Sequence, residues 1–213
     1  MKVGAAARLV YFNLDRCPMS LMPCFGPDQA QAEGIIIGRL LAGYGEIETQ
    51  VCMCLIVAEG TIDHPIRVIF NERGAERRIK TARKALEPDY AKAGLLVSLL
   101  QGLADMDHCR EIRNQYSHCQ WFWTQQDGLC FQNLEILANQ QAAILSVTAN
   151  KFQVDVPLLT AQEDFFWYVK QCFMHLETAY RAWDQQQARG GRAGPPGYIY
   201  PMPLAVARPL LHN

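Results

Sequence analysis

Arginine, asparagine and histidine stand close together in Glu111-Ile-Arg-Asn-Gln-Tyr-Ser-His118, at the end of a long apolar-periodic stretch. Arg113 is a permanent, fork-shaped cation that matches the oxygens of a phosphate, and His118 titrates near neutrality. Asn114 adds a polar side chain able to orient a neighbour. Together they suit phosphate chemistry. The spacing also sets a geometric condition. On an ideal helix Asn114 and His118 lie one turn apart on the same face, whereas Arg113 and His118 point about 140° away from each other. A working site therefore needs a distorted helix end or a second copy of the chain. On spacing alone, the plainer reading is a solvated or salt-bridged arginine and a satisfied interior histidine.

The elements that must carry these residues are helical. From about residue 29 to 59, Ile37, Leu40, Leu41, Tyr44, Ile47, Val51, Cys54, Leu55 and Ala58 recur at three- and four-residue spacing, the pattern of an amphipathic helix. Gly34, Gly38, Gly43 and Gly45 weaken it and permit close approach by a neighbour. After a turn near Asp63-His64-Pro65, a second helix is predicted from about Glu72 to Leu86, stopped by Pro88. A third runs from about Tyr90 to Ser117 with Leu95, Leu96, Leu99, Leu100, Leu103, Met106 and Ile112 facing inward. The period then switches, and Trp121–Trp123 and Leu129–Phe131 predict a hairpin around Asp127-Gly128, with Ala143–Val147 as a further strand. Thr160-Ala-Gln-Glu163 reads as a capping box opening a final helix, whose buried stripe is Phe166, Val169, Phe173, Leu176, Tyr180 and Trp183. Three parts result: an irregular N-terminal extension (1–29), a helical domain (30–188) with a hairpin at about 120–150, and a Pro/Gly-rich tail (189–213). The tail is more apolar than a solvated linker needs, so docking on its own domain or on a partner is open.

The motif and the helices around it resemble the HEPN superfamily. The family's hallmark is an arginine, a polar residue directly after it, and a histidine a few residues on, near the end of a long core helix. Arg113-Asn114-Gln-Tyr-Ser-His118 has that form, and the first helix, with Ile47-Glu48 among apolar residues, is similar to the family's first core helix. The resemblance spans roughly residues 30 to 185. It implies a mainly α fold, an antiparallel helical bundle here carrying a small β-hairpin insertion. It also implies metal-independent RNA cleavage to 2′,3′-cyclic phosphate and 5′-hydroxyl ends. In such a site His118 is the general acid/base, Arg113 steadies charge on the phosphate, and Asn114 orients His118, with Glu48 positioning Arg113 and Tyr116 in support. Family members dimerise so that two motifs meet in one cleft, which answers the angular condition. Many have lost activity, so a silent dimerisation or binding module is the alternative. A toxin or defence role, RNA as substrate and a cognate antitoxin protein are the partners this resemblance implies.

Other features are weighed against plainer accounts. Arg73, Arg77, Lys80 and Lys84 fall on one helical stripe, either a solvated outer face or an RNA-backbone track. Trp121 and Trp123 share one face of their strand and Phe122 the other. That pattern fits a half-buried strand packed on the bundle, with base stacking as the functional reading, and Phe165–Tyr168 reads as core. Among the eight cysteines, Cys52-Met-Cys54 on a helix and the His-Cys pairs at 108–109 and 118–119 lack metal-ligand spacing, so no metal and no cofactor is expected. Cys17 and Cys24 flank a proline-rich turn without a CxxC partner. A net charge of -1 gives no basic surplus for nucleic acid, so any RNA contact must be local. No phosphate-binding glycine loop, nucleophile elbow or zincin motif is present. Arg8 interrupts the N-terminal apolar stretch and no uncharged apolar run reaches membrane-spanning length, so the expectation is a cytoplasmic protein with reduced thiols and no membrane partner.

Overall fold

The computed structural model describes residues 22–23, 30–139, 151–190 and 199–211. It is mainly helical, with a small antiparallel sheet at one end. In chain order the elements are β1 (Met22–Pro23), α1 (Gln31–Glu59), α2 (Asp63–Phe70), α3 (Ala75–Lys92), α4 (Leu96–Ser117), β2 (Cys119–Thr124), β3 (Gly128–Asn133), α5 (Leu134–Ala138), β4 (Phe152–Gln153) and α6 (Val156–Ala188).

Paired side chains fix the helix directions. Arg39 meets Glu163, Glu46 meets Lys170 and Gln50 meets Glu177, so positions rise together and α1 and α6 run parallel. Glu48 pairs with Arg78 and Cys54 with Tyr90, which makes α3 parallel to α1 as well. α4 returns the other way, since Gly102 lies against Phe173 while Tyr116 meets Gln162. Between them lies one core, in which Leu40, Ile47, Leu55, Leu86, Leu99, Ile112, Phe165, Phe173 and Leu176 are almost wholly buried. Its burial is the main force holding the bundle. A Cβ on Gly102 would come within 3.3 Å of the Phe173 ring, so the close approach of helices is made there. On α1 it is not general: Gly43 has Phe166 at 3.7 Å, but Gly38 and Gly45 face open space.

Several local predictions are corrected. The expected turn at Asp63-His64-Pro65 is the start of α2. Pro65 falls in the first turn, where its missing N–H is not needed, and Asp63 bonds Arg67 one turn on. Pro88 does not stop α3, which runs four residues past it. The break lies at Gly94, with φ +73°, where Gly94 N–H reaches Ala91 O at 3.1 Å and Leu95 N–H reaches Tyr90 O at 2.8 Å. Those two bonds make a Schellman cap, so Tyr90 belongs to α3 and α4 begins after it. The final helix opens at Asp155, whose carboxylate accepts from Leu158 N–H at 2.9 Å, with Pro157 in the first turn. Thr160 is therefore inside the helix and Glu163 serves Arg39 instead of a capping box.

The hairpin forms as predicted, with Trp121 opposite Phe131 and Thr124 opposite Gly128, which takes φ +69° at the turn. Trp121 packs on Tyr116 and Phe131, with ring centroids 5.6 and 5.2 Å away, fastening the hairpin to the end of α4. Phe122, on the other face, is also buried, and the two-residue strands β1 and β4 flank the pair. Ala143–Val147, Cys17 and Cys24 lie outside the described residues. In the strip Phe165–Tyr168, Trp167 departs from the core reading: it is half exposed, with the Lys170 ammonium 5.1 Å over its ring. The described part of the tail has no regular structure and docks on the chain's own α4 and α6.

α1 is long and apolar enough by composition to cross a bilayer. Ten of its residues, Glu48 among them, are buried inside the bundle, which is ordinary for a core helix.

Candidate functional site

Asn114, Ser117 and His118 terminate α4. Ile112 and Tyr116 face the core, which turns Arg113, Asn114 and His118 toward the outside of the helix end. His118 is the residue after the last helical turn, with φ −123° and ψ 40°, so its backbone has left the helix. The helix thus ends at His118, which is one of the two arrangements the spacing left open, the other being a second chain. The carbonyl of His118 accepts from Leu134 N–H at 3.3 Å, and Cys119 pairs with Asn133 at the start of the hairpin. The exposed imidazole thus stands on a backbone held by both helix and sheet. No side chain among the described residues hydrogen-bonds it.

Arg113 and Asn114 act as a unit. The Arg113 guanidinium donates from Nη1 to Asn114 Oδ1 at 3.0 Å, and both are half-buried. That bond uses one of five guanidinium donors and leaves the others available to an anion. Asn114 therefore orients the arginine, where the sequence assigned it to His118.

Two supporting residues have other partners. Glu48 is buried and takes its hydrogen bond from Arg78 Nη1 at 2.8 Å, so its partner is on α3 and not Arg113. The reason is register: parallel packing sets Glu48 beside Arg78. Glu48 Oε1 has no hydrogen-bond partner, nor has the buried Tyr44 hydroxyl one turn earlier on α1. Tyr116 is core, with its hydroxyl donating to Gln162 Oε1 at 2.7 Å. Burial raises its pKa well above the usual phenol value, so it stays neutral.

Arg73, Arg77, Lys80 and Lys84 are all exposed, but only the last three are on α3: Arg73 lies in the turn before Gly74, so it falls outside the helical stripe the spacing predicted. Lys80 is paired with Glu76 at 2.5 Å and the neighbouring Arg83 with Glu87 at 3.3 Å. Among the described residues Arg73, Arg77 and Lys84 have no carboxylate partner. Because α3 and α4 run antiparallel, Arg73 and Arg77 lie toward the end of the bundle that carries the motif. Between the two helices is a groove of about 310 Å³, walled by Glu76, Lys80, Arg83, Asp107 and Arg110 over an apolar floor.

The thiols are structural. Cys52, Cys54, Cys109, Cys130 and Cys172 are buried, and among the described residues no three His, Cys, Asp or Glu side chains converge to hold a metal ion. Burial pushes the Cys119 thiol up to about 12, so it is no nucleophile beside the motif.

Comparison with protein-family models, curated proteins and solved structures finds no match for this chain. The side chains carry the argument alone. Sequence reasoning missed one group of them: Asp105, His108 and Gln162, polar residues that hold the tail. The available signal was a glutamine inside the otherwise apolar stripe of α6.

Proposed function

We propose that this chain is a metal-independent endoribonuclease of HEPN type, acting in the cytoplasm as a homodimer in a toxin or defence role. The observation that carries the reading is the end of α4. An exposed histidine leaves the helix there, five residues after an arginine oriented by the next residue's amide. Such a pair is suited to in-line attack by a ribose 2′-hydroxyl on its own phosphodiester. Histidine takes the hydroxyl proton as the new P–O bond forms, and Arg113 neutralises charge on the phosphoryl oxygens. The P–O5′ bond breaks, and the leaving oxygen takes a proton from the second histidine of the dimer. The products are a 2′,3′-cyclic phosphate and a 5′-hydroxyl. No water, metal or redox partner enters the balance.

The unpaired cations Arg77 and Lys84 on α3, with Arg73 in the turn before it, support a backbone track leading toward the motif, with affinity that falls as salt rises. A cognate antitoxin protein is the regulator that such an activity calls for.

The test compares the wild-type chain with His118→Ala on purified RNA in EDTA, alongside sedimentation of both proteins. Cyclic-phosphate ends from the wild type only, with both proteins dimeric, are expected. Cleavage by both proteins would sink the catalytic role of His118. Two inactive, folded dimers would favour a binding module.

A further inference from the structure

The C-terminal segment bridges α4 and α6 next to the candidate site. Tyr200 is bracketed on α6: its N–H donates to Thr178 Oγ1 at 2.9 Å, and its carbonyl accepts from His175 Nδ1 at 2.7 Å. Eight to ten residues later, three consecutive positions are caught. Arg208 Nε donates to Asp105 Oδ1 at 2.9 Å, Pro209 O accepts from His108 Nε2 at 2.9 Å, and Leu210 O accepts from Gln162 Nε2 at 3.1 Å. From Thr178 back to Gln162 is about 24 Å of helix, and ten extended residues span about 31 Å. The segment is therefore long enough to cover that distance with slack, and it runs antiparallel to α6.

Its anchors on the bundle are polar groups inside an apolar setting. Gln162 is wholly buried and Asp105 nearly so. Asp105 takes its other bond from Gln101 at 3.0 Å, and His108 stands edge-on to Phe165, with centroids 5.5 Å apart. Asp105, His108, Ile112 and Tyr116 recur at three- and four-residue steps, hence on one face of α4. The tail buries little in return: Leu204 is 91% and Leu210 77% exposed, and only Leu211 packs on the core. Docking is thus held by hydrogen bonds and not by apolar burial, which makes it separable from the folding of the bundle.

One of these bonds continues into the motif. The Gln162 amide gives its N–H to Leu210 O and takes the Tyr116 hydroxyl on its oxygen. Tyr116 lies between Asn114 and His118. With the tail in place both ends of the amide are satisfied and its orientation is fixed. Without the tail, one end is unpaired and the amide loses the contact that holds it toward Tyr116.

We propose that segment 199–211 is a strap that positions the Arg113–His118 end of α4, with Gln162 and Tyr116 transmitting its docking. Gln162 is a positioning residue, and the strap's effect on activity, though not on order, rests on the ribonuclease reading.

The experiment is NMR relaxation together with hydrogen exchange on the full chain, comparing wild type with Arg208→Ala, which removes the strap's ion pair to the buried Asp105, and Gln162→Met, which removes both amide bonds. Both variants should lose backbone order in 199–211, where among the described residues Tyr200 alone donates its N–H. Both should exchange roughly three- to tenfold faster in 113–118, as loss of a hydrogen bond gives, while α1 keeps its protection. A strap freed by Arg208→Ala with 113–118 unchanged would overturn the coupling. So would an Arg208→Ala strap that stays as ordered as in the wild type. If Gln162→Met also loses protection in α1, the Arg208→Ala result decides. In an RNA assay, Arg208→Ala should lower kcat and leave KM unchanged. An inactive wild type would defeat the ribonuclease reading alone, because the relaxation and exchange data still decide the strap.

Discussion

At the scale of residues, exposure separates function from stability. His118 is exposed and bonds no described side chain, so His118→Ala should change unfolding free energy by no more than about 0.5 kcal/mol. Its effect on RNA cleavage should be a loss of at least roughly a hundredfold, the usual contribution of one general acid/base. Urea unfolding and a cleavage time course measure the two separately. Arg78 is the reverse case. Its guanidinium lies on the buried Glu48 carboxylate and over the Phe70 ring, 5.6 Å from the centroid. Arg78→Ala leaves that carboxylate buried without its cation and should cost about 2–4 kcal/mol in urea unfolding. An unchanged midpoint would mean that Glu48 finds water instead.

At the scale of elements, α3 continues past a residue that ordinarily ends a helix. Pro88 cannot donate to Lys84, four residues back, and its ring crowds that carbonyl, yet the helix continues to Lys92. Tyr90 explains why. It is buried, stacks on Tyr180 with centroids 4.9 Å apart and hydrogen-bonds Cys54 O at 3.4 Å, so the last turn is held by packing. Pro88 itself is exposed, and Pro88→Ala restores a donor there without touching the core. It should stabilise the protein by about 1–3 kcal/mol, less whatever the freer unfolded chain takes back, seen as a rise in Tm. A fall in Tm would show that the proline itself is required. The Pro88 stop failed as a prediction because a local preference of a few kcal/mol was outweighed by tertiary burial beyond it.

At the scale of the whole molecule, the buried thiols and phenols set an upper pH limit. Burial raises Cys54 and Cys119 to about 12 and moves Cys109 well up, against about 8.5 for a free cysteine. Below the unfolded value both states hold their protons and nothing is lost. Above it, the unfolded chain releases protons that the folded chain keeps, so stability falls as pH rises from about 8.5 toward 12. The urea midpoint at pH 10 should be clearly lower than at pH 7.5; an equal or higher midpoint would refute this account. Burial similarly raises Tyr44 and Tyr90, which deepens the fall at its upper end.

Much was legible before any coordinates. Apolar period placed the long helices α1, α4 and α6 and most of their inward faces, though Leu41 is exposed and Leu95 precedes α4, and Asp127-Gly128 placed the hairpin, because these rest on contacts between near neighbours in sequence. The Arg113–His118 spacing required a distorted helix end or a second chain, and the helix does end at His118. Other facts were open until the chain was packed. Glu48 on Arg78, Asn114 on Arg113, and the tail on Asp105, His108 and Gln162 depend on helix direction and register, which no single segment encodes. Residue types and local period are written in the sequence. The partner of a buried polar group is decided only when distant helices close around it.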